Sequence, residues 1–253
     1  MEHYDATVIG SGPAGAGAAM MATKGGKRVA VIERHSEVGG ACTRCGTIAN
    51  KALCHAVNTP RDARRDPLLR SLRTSLQLEF PPLLAAAGSV MRPRLPVAGV
   101  PRVRVSDTVL HYSASPFAVT IFGGGVIGCE YASIFLNLGC KVTLVNTRKR
   151  LLSFLDDEIA EALSCHLHEQ GCVIRHNEKY AGLEARADDV VLLLESGRRI
   201  KSDLLLWANG RVGNSDTMNI EAAGVTVTRR GHTTRPVGQW HLHATGNFPS
   251  RPH

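Results

Sequence analysis

Two glycine triplets have the spacing best suited to chemistry: Gly10, Gly12 and Gly15, then Gly123, Gly125 and Gly128. Each reads G-x-G-x-x-G. In such a turn the first glycine allows a sharp bend, the second lets the backbone approach a pyrophosphate, and the third lets helix and strand pack closely. The helix that follows offers unpaired N–H groups and a partial positive charge to phosphates. Because one such triplet is a weak signal and two are a strong one, the sequence predicts two dinucleotide-binding turns rather than two glycine turns without a ligand.

The residue that ends the strand after each triplet differs in charge. After the first triplet it is Glu33, whose carboxylate would accept hydrogen bonds from ribose hydroxyls and repel a 2′-phosphate. After the second it is Asn146, followed by Arg148 and Arg150. A neutral side chain beside cations admits a 2′-phosphate and can still bond the hydroxyls of NAD. The first turn is therefore predicted to bind FAD or NAD and the second NADP or NAD, unless the two arginines belong only to a solvated loop.

Two thiols, Cys42 and Cys45, form a C-x-x-C pair with a Cys-His dipeptide nearby. A zinc site would need a second well-spaced pair of ligands, so no metal site is predicted. A redox-active pair is an alternative. The interpretation that needs the fewest assumptions treats Cys45 as an incidental thiol.

The elements that must position these residues form an internal near-duplication. Residues 5–34 and 118–147 align without a gap, and each copy predicts a strand, a glycine turn, a helix and a second strand. The predicted helices cover residues 14–24 and 127–138. The pattern predicts an α/β protein with two Rossmann-like units.

Composition narrows the class of protein. The chain has 253 residues, of which 43% are hydrophobic, enough for one large domain or two modest ones. Its net charge is +8, but aromatic residues make up only 5% and do not alternate with basic ones, which disfavours nucleic acid as a partner. Seven scattered cysteines indicate free thiols in a reducing compartment. No apolar run approaches the roughly 20 residues of a membrane span, and no signal peptide is evident, so a cytoplasmic protein without a membrane partner is predicted.

The segment after Glu33, ERHSEVGGACTRCGTIANKALCHAV, resembles the glutathione reductase and lipoamide dehydrogenase superfamily. Disulfide reductases of that superfamily carry two cysteines here, whereas this chain has Cys42 and then Thr47. A dithiol relay needs both sulfurs. Soluble pyridine nucleotide transhydrogenases are more similar, because they have a GTI run at this place. The stretches IFGGGVIGCEYASIF, NTRKRLLSFLDDE and LLLWANGRVGN also resemble that family.

The resemblance implies a domain order. In the family the first Rossmann unit binds FAD, and the second, inserted into the first, binds NAD(P). We therefore expect a doubly wound α/β fold with a truncated FAD-binding domain at residues 1–115, an NAD(P)-binding domain at 116–230 and a returning segment of the FAD-binding domain at 231–253.

The resemblance also implies a set of cofactor contacts. For FAD they are Gly10, Gly12, Gly15, Glu33, Gly39, Gly40, Cys42, Lys51 and Asn247. For the second unit they are Gly123, Gly125, Gly128, Asn146, Arg148 and Gly210. Cys42, Lys51 and Glu130 would serve catalysis: the lysine resembles one beside the flavin N5, where a cation stabilises negative charge, and the glutamate resembles its partner.

The implied activity is FAD-dependent hydride transfer between NADPH and NAD, of the Si-specific type. Residues 58–117 are shorter than the family needs by about 70 residues, judged against a normal Rossmann half. The C-terminal interface domain of the homo-oligomeric family is expected to be absent. Such shortening implies impaired activity. Two alternatives remain: a non-catalytic NAD(P)-binding fragment, and a disulfide reductase like dihydrolipoamide dehydrogenase that would use Cys42 and Cys45.

Overall fold

A computed structural model describes residues 3–44, 46–65, 100, 102–110, 112, 114–211, 222, 226–228 and 233–234. These residues form two compact units. The first contains the described residues up to Ala49 and from Arg211 onward, and the second those from Asn50 to Gly210. The second unit therefore lies, in sequence, between two parts of the first.

The first unit is built around a strand–helix–strand segment. Its elements are β1 (Ala6–Ile9), α1 (Pro13–Lys24), β2 (Val29–Ile32) and the short α2 (Gly40–Arg44), with β11 (Thr226–Val227) and β12 (Thr233–Thr234) from the later part of the chain. β1 and β2 are parallel, with Ala6 opposite Val29. β11 and β12 form a separate antiparallel pair. Helix α3 (Thr47–Arg65) begins in this unit and continues into the second.

The second unit contains a five-stranded parallel sheet and a three-stranded antiparallel sheet. Its elements are β3 (Val103–Val105), α4 (Ser106–Val109), β4 (Ala118–Phe122), α5 (Val126–Asn137), β5 (Lys141–Val145), α6 (Asp157–Glu169), β6 (Val173–Arg175), β7 (Tyr180–Ala185), β8 (Val190–Leu194), β9 (Arg199–Ser202) and β10 (Leu204–Trp207). The parallel sheet has the order β3-β10-β4-β5-β6, and the antiparallel sheet has the order β7-β8-β9.

The core of the second unit explains why its central strands are almost continuously apolar. Phe122, Val145 and Leu205 of the parallel sheet belong to one buried cluster with Val190 and Leu192 of β8. Strands covered on both faces have no solvent side on which polar residues could alternate. The parallel sheet with a helix after each glycine turn confirms the predicted α/β class.

The two copies of the repeat have the same register. Val119 lies opposite Val142 in the second copy, just as Ala6 lies opposite Val29 in the first. These two pairs occupy equivalent positions when residues 5–34 are aligned with residues 118–147. The helices begin at Pro13 and Val126, one residue before each predicted start. β3 lies before the predicted domain boundary at residue 116, yet it pairs with β10 of the second unit. In the described part of the chain, no helix combines the length and apolar character needed to cross a bilayer.

Candidate dinucleotide-binding site

The first glycine turn connects β1 to α1. Gly10 adopts a φ of +95°, which favours glycine, and its N–H donates to the Ile32 carbonyl at 2.7 Å. A Cβ on Gly15 would overlap the Gly10 carbonyl oxygen, so this position needs glycine for packing. Gly12 differs from both. Its φ is −63°, and a Cβ there would meet only the Cα of Gly40, at 3.9 Å.

The second glycine turn repeats this geometry between β4 and α5. Gly123 has a φ of +124°, and its N–H donates to the Val145 carbonyl at 2.8 Å. A Cβ on Gly128 would overlap the Gly123 carbonyl oxygen. Gly125 has a φ of −87°, and a Cβ on it would meet nothing within 4 Å. In both turns the middle glycine is thus required neither by a positive φ nor by a close contact, and open space lies in front of Gly125.

Glu33 lies at the end of β2 and is held by the first turn. Its Oε2 accepts hydrogen bonds from the Ser11 hydroxyl at 2.6 Å and the Ser11 N–H at 2.9 Å. Its Oε1 accepts from the His35 N–H at 3.1 Å. The bonds from Ser11, followed by that from His35, lower the pKa of Glu33 to about 2. The carboxylate is therefore ionised and half-buried beside the turn.

The predicted flavin-side residues follow this carboxylate. The Gly39 N–H donates to the Ser11 hydroxyl oxygen at 3.0 Å. Gly40 has a φ of +61°, and a Cβ on it would lie 2.8 Å from the Gly12 Cα, so this segment approaches the glycine turn closely. Cys42 lies half-buried in α2. Cys45 lies outside the described residues, so the proposed thiol pair stays a prediction.

Asn146 occupies the position in the second unit that Glu33 has in the first, but its side chain points inward. It is 4% exposed. Its Nδ2 donates to the carbonyls of Arg148 at 3.1 Å and Arg150 at 2.7 Å, and lies 3.3 Å from Nδ1 of His176. These contacts occupy the amide hydrogens that were expected to bond a ribose.

The two arginines after Asn146 have partners on the same surface. Arg148 is exposed and donates a hydrogen bond to the Ser153 hydroxyl. Arg150 forms an ion pair with Asp157, at the start of α6.

Gly210, also predicted to contact the dinucleotide, is exposed three residues after β10 with a φ of +92°. Asn247 lies outside the described residues.

Lys51 and Glu130 are brought together as the resemblance implied. The Lys51 Nζ lies 4.0 Å from Oε1 of Glu130, and their side chains are 69% and 39% exposed. Sequence reasoning missed a third member of this group. Asn50 is buried and donates from Nδ2 to the other carboxylate oxygen, Oε2, at 2.6 Å. No local sequence feature pointed to this bond, because Asn50 and Glu130 are 80 positions apart.

Three thiols of the second unit are poorly suited to redox chemistry. Burial raises the pKa of the Cys129 thiol to about 12 and that of Cys172 to about 11. Burial also raises the pKa of Cys140 to about 11. Because the thiolate is the reactive form, these three side chains are inert near neutral pH. Among the described residues, no group of three or more ligating side chains could hold a metal ion.

Comparison with known proteins agrees with this geometry. A family model described as pyridine nucleotide-disulphide oxidoreductase matches residues 69–235. The chain belongs to this family. A second model, described as FAD dependent oxidoreductase, matches residues 5–77 and so includes the first glycine turn.

Two curated relatives in the pyridine nucleotide-disulphide oxidoreductase family carry the same name. The soluble pyridine nucleotide transhydrogenase of Marinomonas sp. (strain MWYL1) is 40% identical over 286 residues, which cover 90% of this chain and 62% of the relative. The enzyme of the same name from Serratia proteamaculans (strain 568) is 38% identical over 314 residues, which cover 99% of this chain and 67% of the relative. The chain thus spans about three fifths to two thirds of these relatives. Both aligned lengths exceed 253 residues, so the relatives carry internal residues that this chain lacks, as the predicted shortening requires.

Two solved structures have a fold similar to that of this chain. The HOCl-induced flavoprotein disulfide reductase RclA from Escherichia coli has a TM-score of 0.73 at 27% identity, and covers 91% of this chain and 62% of its own. LpdA from Mycobacterium tuberculosis has a TM-score of 0.77 at 21% identity, covering 90% and 63%, which supports the fold alone.

Proposed function

We propose that this chain transfers hydride between NADPH and NAD, with FAD held at the first glycine turn and the nicotinamide dinucleotide at the second. The proposal is supported by the names of the relatives and by the two turns themselves. Its central observation is that Gly12 and Gly125 have no structural reason to be glycine. A Cβ at Gly125 would project into open space in front of α5, where a pyrophosphate would accept hydrogen bonds from the helix N-terminus.

The residues of the first unit fit FAD better than NADP. Glu33 presents a fully ionised carboxylate beside the turn, which suits ribose hydroxyls and repels a 2′-phosphate. Bound FAD would supply the hydride acceptor that no side chain can provide. Lys51, oriented by Glu130, would hold a positive charge at the flavin side, and Thr47 replaces the sulfur that disulfide exchange requires.

The decisive experiment is a visible spectrum of the full chain mixed with FAD. We expect bound-flavin absorbance that is bleached by NADPH under anaerobic conditions and restored by NAD. The variant Gly125→Ala should retain the far-UV circular dichroism of the parent but bind NADPH at least about tenfold more weakly, because a methyl group enters the pyrophosphate space. No flavin absorbance, or flavin that NADPH does not bleach, would refute hydride transfer.

A second candidate is a non-catalytic NAD(P)-binding protein. It is favoured by the internal residues that the relatives have and this chain lacks. Calorimetric titration distinguishes the two candidates. NADPH binding that is lost in Gly125→Ala, without any bleaching of flavin, would support this second function and exclude the first.

Two finer points belong to the proposal. Si-specific transfer would move the pro-S hydrogen at C4 of the nicotinamide ring. NADPH with deuterium at the pro-S position should therefore lose its deuterium, and NADPH with deuterium at the pro-R position should keep it. A cytoplasmic location is supported by the six described cysteines, all of which are free.

A further inference from the structure

Two of the positions that differ between the two copies of the repeat are neighbours in space. One is the residue between the first two glycines, and the other is the residue directly after the second strand. In the first unit they are Ser11 and Glu33, joined by the 2.6 Å hydrogen bond from hydroxyl to carboxylate. In the second unit the same positions hold Gly124 and Asn146.

Gly124 makes room for the inward position of Asn146. A Cβ on Gly124 would lie 2.7 Å from Cγ of Asn146 and 2.7 Å from Cδ2 of Leu151. Its φ lies outside the left-handed region, so the backbone conformation does not require glycine. A serine like Ser11 would therefore displace Asn146 from its place below the turn.

Asn146 in turn shapes the loop that follows it. Its amide draws the carbonyls of Arg148 and Arg150 inward, while the side chains of residues 147–149 are exposed. Two further bonds fix the same loop: the Asn177 N–H donates to the Arg148 carbonyl at 3.2 Å, and the Leu152 N–H donates to the Gly124 carbonyl at 3.1 Å. The loop is therefore held from below, and the cationic side chains of Arg148 and Lys149 are exposed.

We propose that Gly124 and Asn146 act as a two-residue selector for the 2′-phosphate of NADP. Asn146 is a positioning residue that acts through the loop 147–150 and does not itself contact the ribose. A loop fixed in advance loses less conformational entropy on binding, and Asn146 places an amide where the first unit has the carboxylate of Glu33. The inference rests on the proposed binding of a nicotinamide dinucleotide at the second turn.

The first test compares Asn146→Asp with the matched control Asn177→Asp in the full chain. Aspartate has the shape of asparagine but cannot donate to the two carbonyls. Asn177 is exposed and adjacent to the same loop. Its substitution therefore adds the same charge without removing the hydrogen bonds from Asn146 to the Arg148 and Arg150 carbonyls. Titration with NADPH and NADH should show NADPH weakened at least about tenfold more than NADH in Asn146→Asp, and a ratio within about twofold of the parent in Asn177→Asp.

Other results would overturn the selector. A parent chain that binds neither nucleotide refutes the proposed function and this inference together. A parent that binds NADPH, with the NADPH to NADH ratio unchanged in Asn146→Asp or equally changed in Asn177→Asp, refutes the selector alone.

A second test transplants the pair from the first unit and applies even where Asn146→Asp does not fold. Gly124→Ser alone should lower the melting temperature, because the serine collides with Asn146. Adding Asn146→Glu should restore part of that loss through a Ser–Glu hydrogen bond like that of Ser11 and Glu33, while shifting preference from NADPH to NADH. A double variant that is no more stable than Gly124→Ser, or that keeps the preference of the parent, would contradict the coupling.

Discussion

At the scale of single residues, the glycine turns show that similar backbones can hold opposite side-chain arrangements. Glu33 is reached by a hydroxyl and two N–H groups and remains half-buried beside the turn. Asn146 is turned away from the surface and donates to the backbone of its own loop. The difference depends on whether the neighbouring turn residue has a side chain. In the proposed selector, Gly124 therefore acts on the preference for NADPH through Asn146 rather than through contact with the nucleotide.

The lowered pKa of Glu33 predicts a specific dependence on pH. Its pKa of about 2 lies below the ordinary value of 4.5, so the ionised form is favoured in the folded state. The stability it contributes is fully present above pH 4.5 and is lost as pH falls toward 2. Ser11→Ala removes the largest cause of the shift, so the pKa of Glu33 should rise toward 4.5 in an NMR titration of its carboxyl carbon.

The matched control for that titration is Thr23→Ala. Thr23 also loses a hydroxyl in the first unit, but its hydrogen bond goes to the Ala19 carbonyl within α1. The pKa of Glu33 should stay at about 2 in this variant. An unchanged pKa in Ser11→Ala would show that the hydroxyl does not govern the ionisation.

The sequence predicted the positions of the glycine turns, but it did not predict all the side-chain contacts around them. The glycine spacing located both turns, and the resemblance paired Lys51 with Glu130. The inward position of Asn146 could not be read, because it depends on the space that Gly124 leaves in three dimensions. The bond from Asn50 to Glu130 could not be read either, since it joins residues that are 80 positions apart.

At the scale of elements, each glycine turn sets the packing of one helix on one strand. Gly15 needs the absence of a side chain, whereas Gly17 lies on the exposed side of α1 with nothing within 4 Å of a Cβ. Gly15→Ala should lower the free energy of unfolding by about 2 kcal/mol or more through overlap with the Gly10 carbonyl oxygen. Gly17→Ala should raise it by about 0.5–1 kcal/mol, because alanine is the better helix former. Urea titration measures both, and equal effects from the two substitutions would contradict the packing role of Gly15.

Local sequence patterns predicted the bounds of helices α1 and α5 well, but they did not predict which distant strands pair. Helix starts were off by one residue, since glycine turns and apolar spacing are local features. The place of β3 was not predictable, because its partner β10 lies about a hundred positions later in the chain. Short strands such as β3 have too few residues to show a period of their own.

At the scale of the whole molecule, the two units differ in how well their sheets are covered. The second unit has a buried core between two sheets. In the first, the described parallel sheet has only two strands, and Ile9, Val31 and Ile32 are about half exposed, at 46–54%. Apolar side chains that remain half exposed contribute less burial free energy than the fully buried ones of the second unit. We therefore expect the first unit to unfold at the lower temperature.

Scanning calorimetry of the full chain, with and without each dinucleotide, should assign the two unfolding transitions to the two units. A ligand that binds only one folded unit stabilises that unit by about 2.7 kcal/mol at a hundred times its dissociation constant. FAD should therefore raise the lower transition and NADPH the upper one. In Gly125→Ala the NADPH shift should disappear while the FAD shift persists, because the substitution changes only the second turn. If both ligands raised the same transition, or if Gly125→Ala abolished both shifts, the two turns would not be separate sites, and the assignment of one dinucleotide to each would fail.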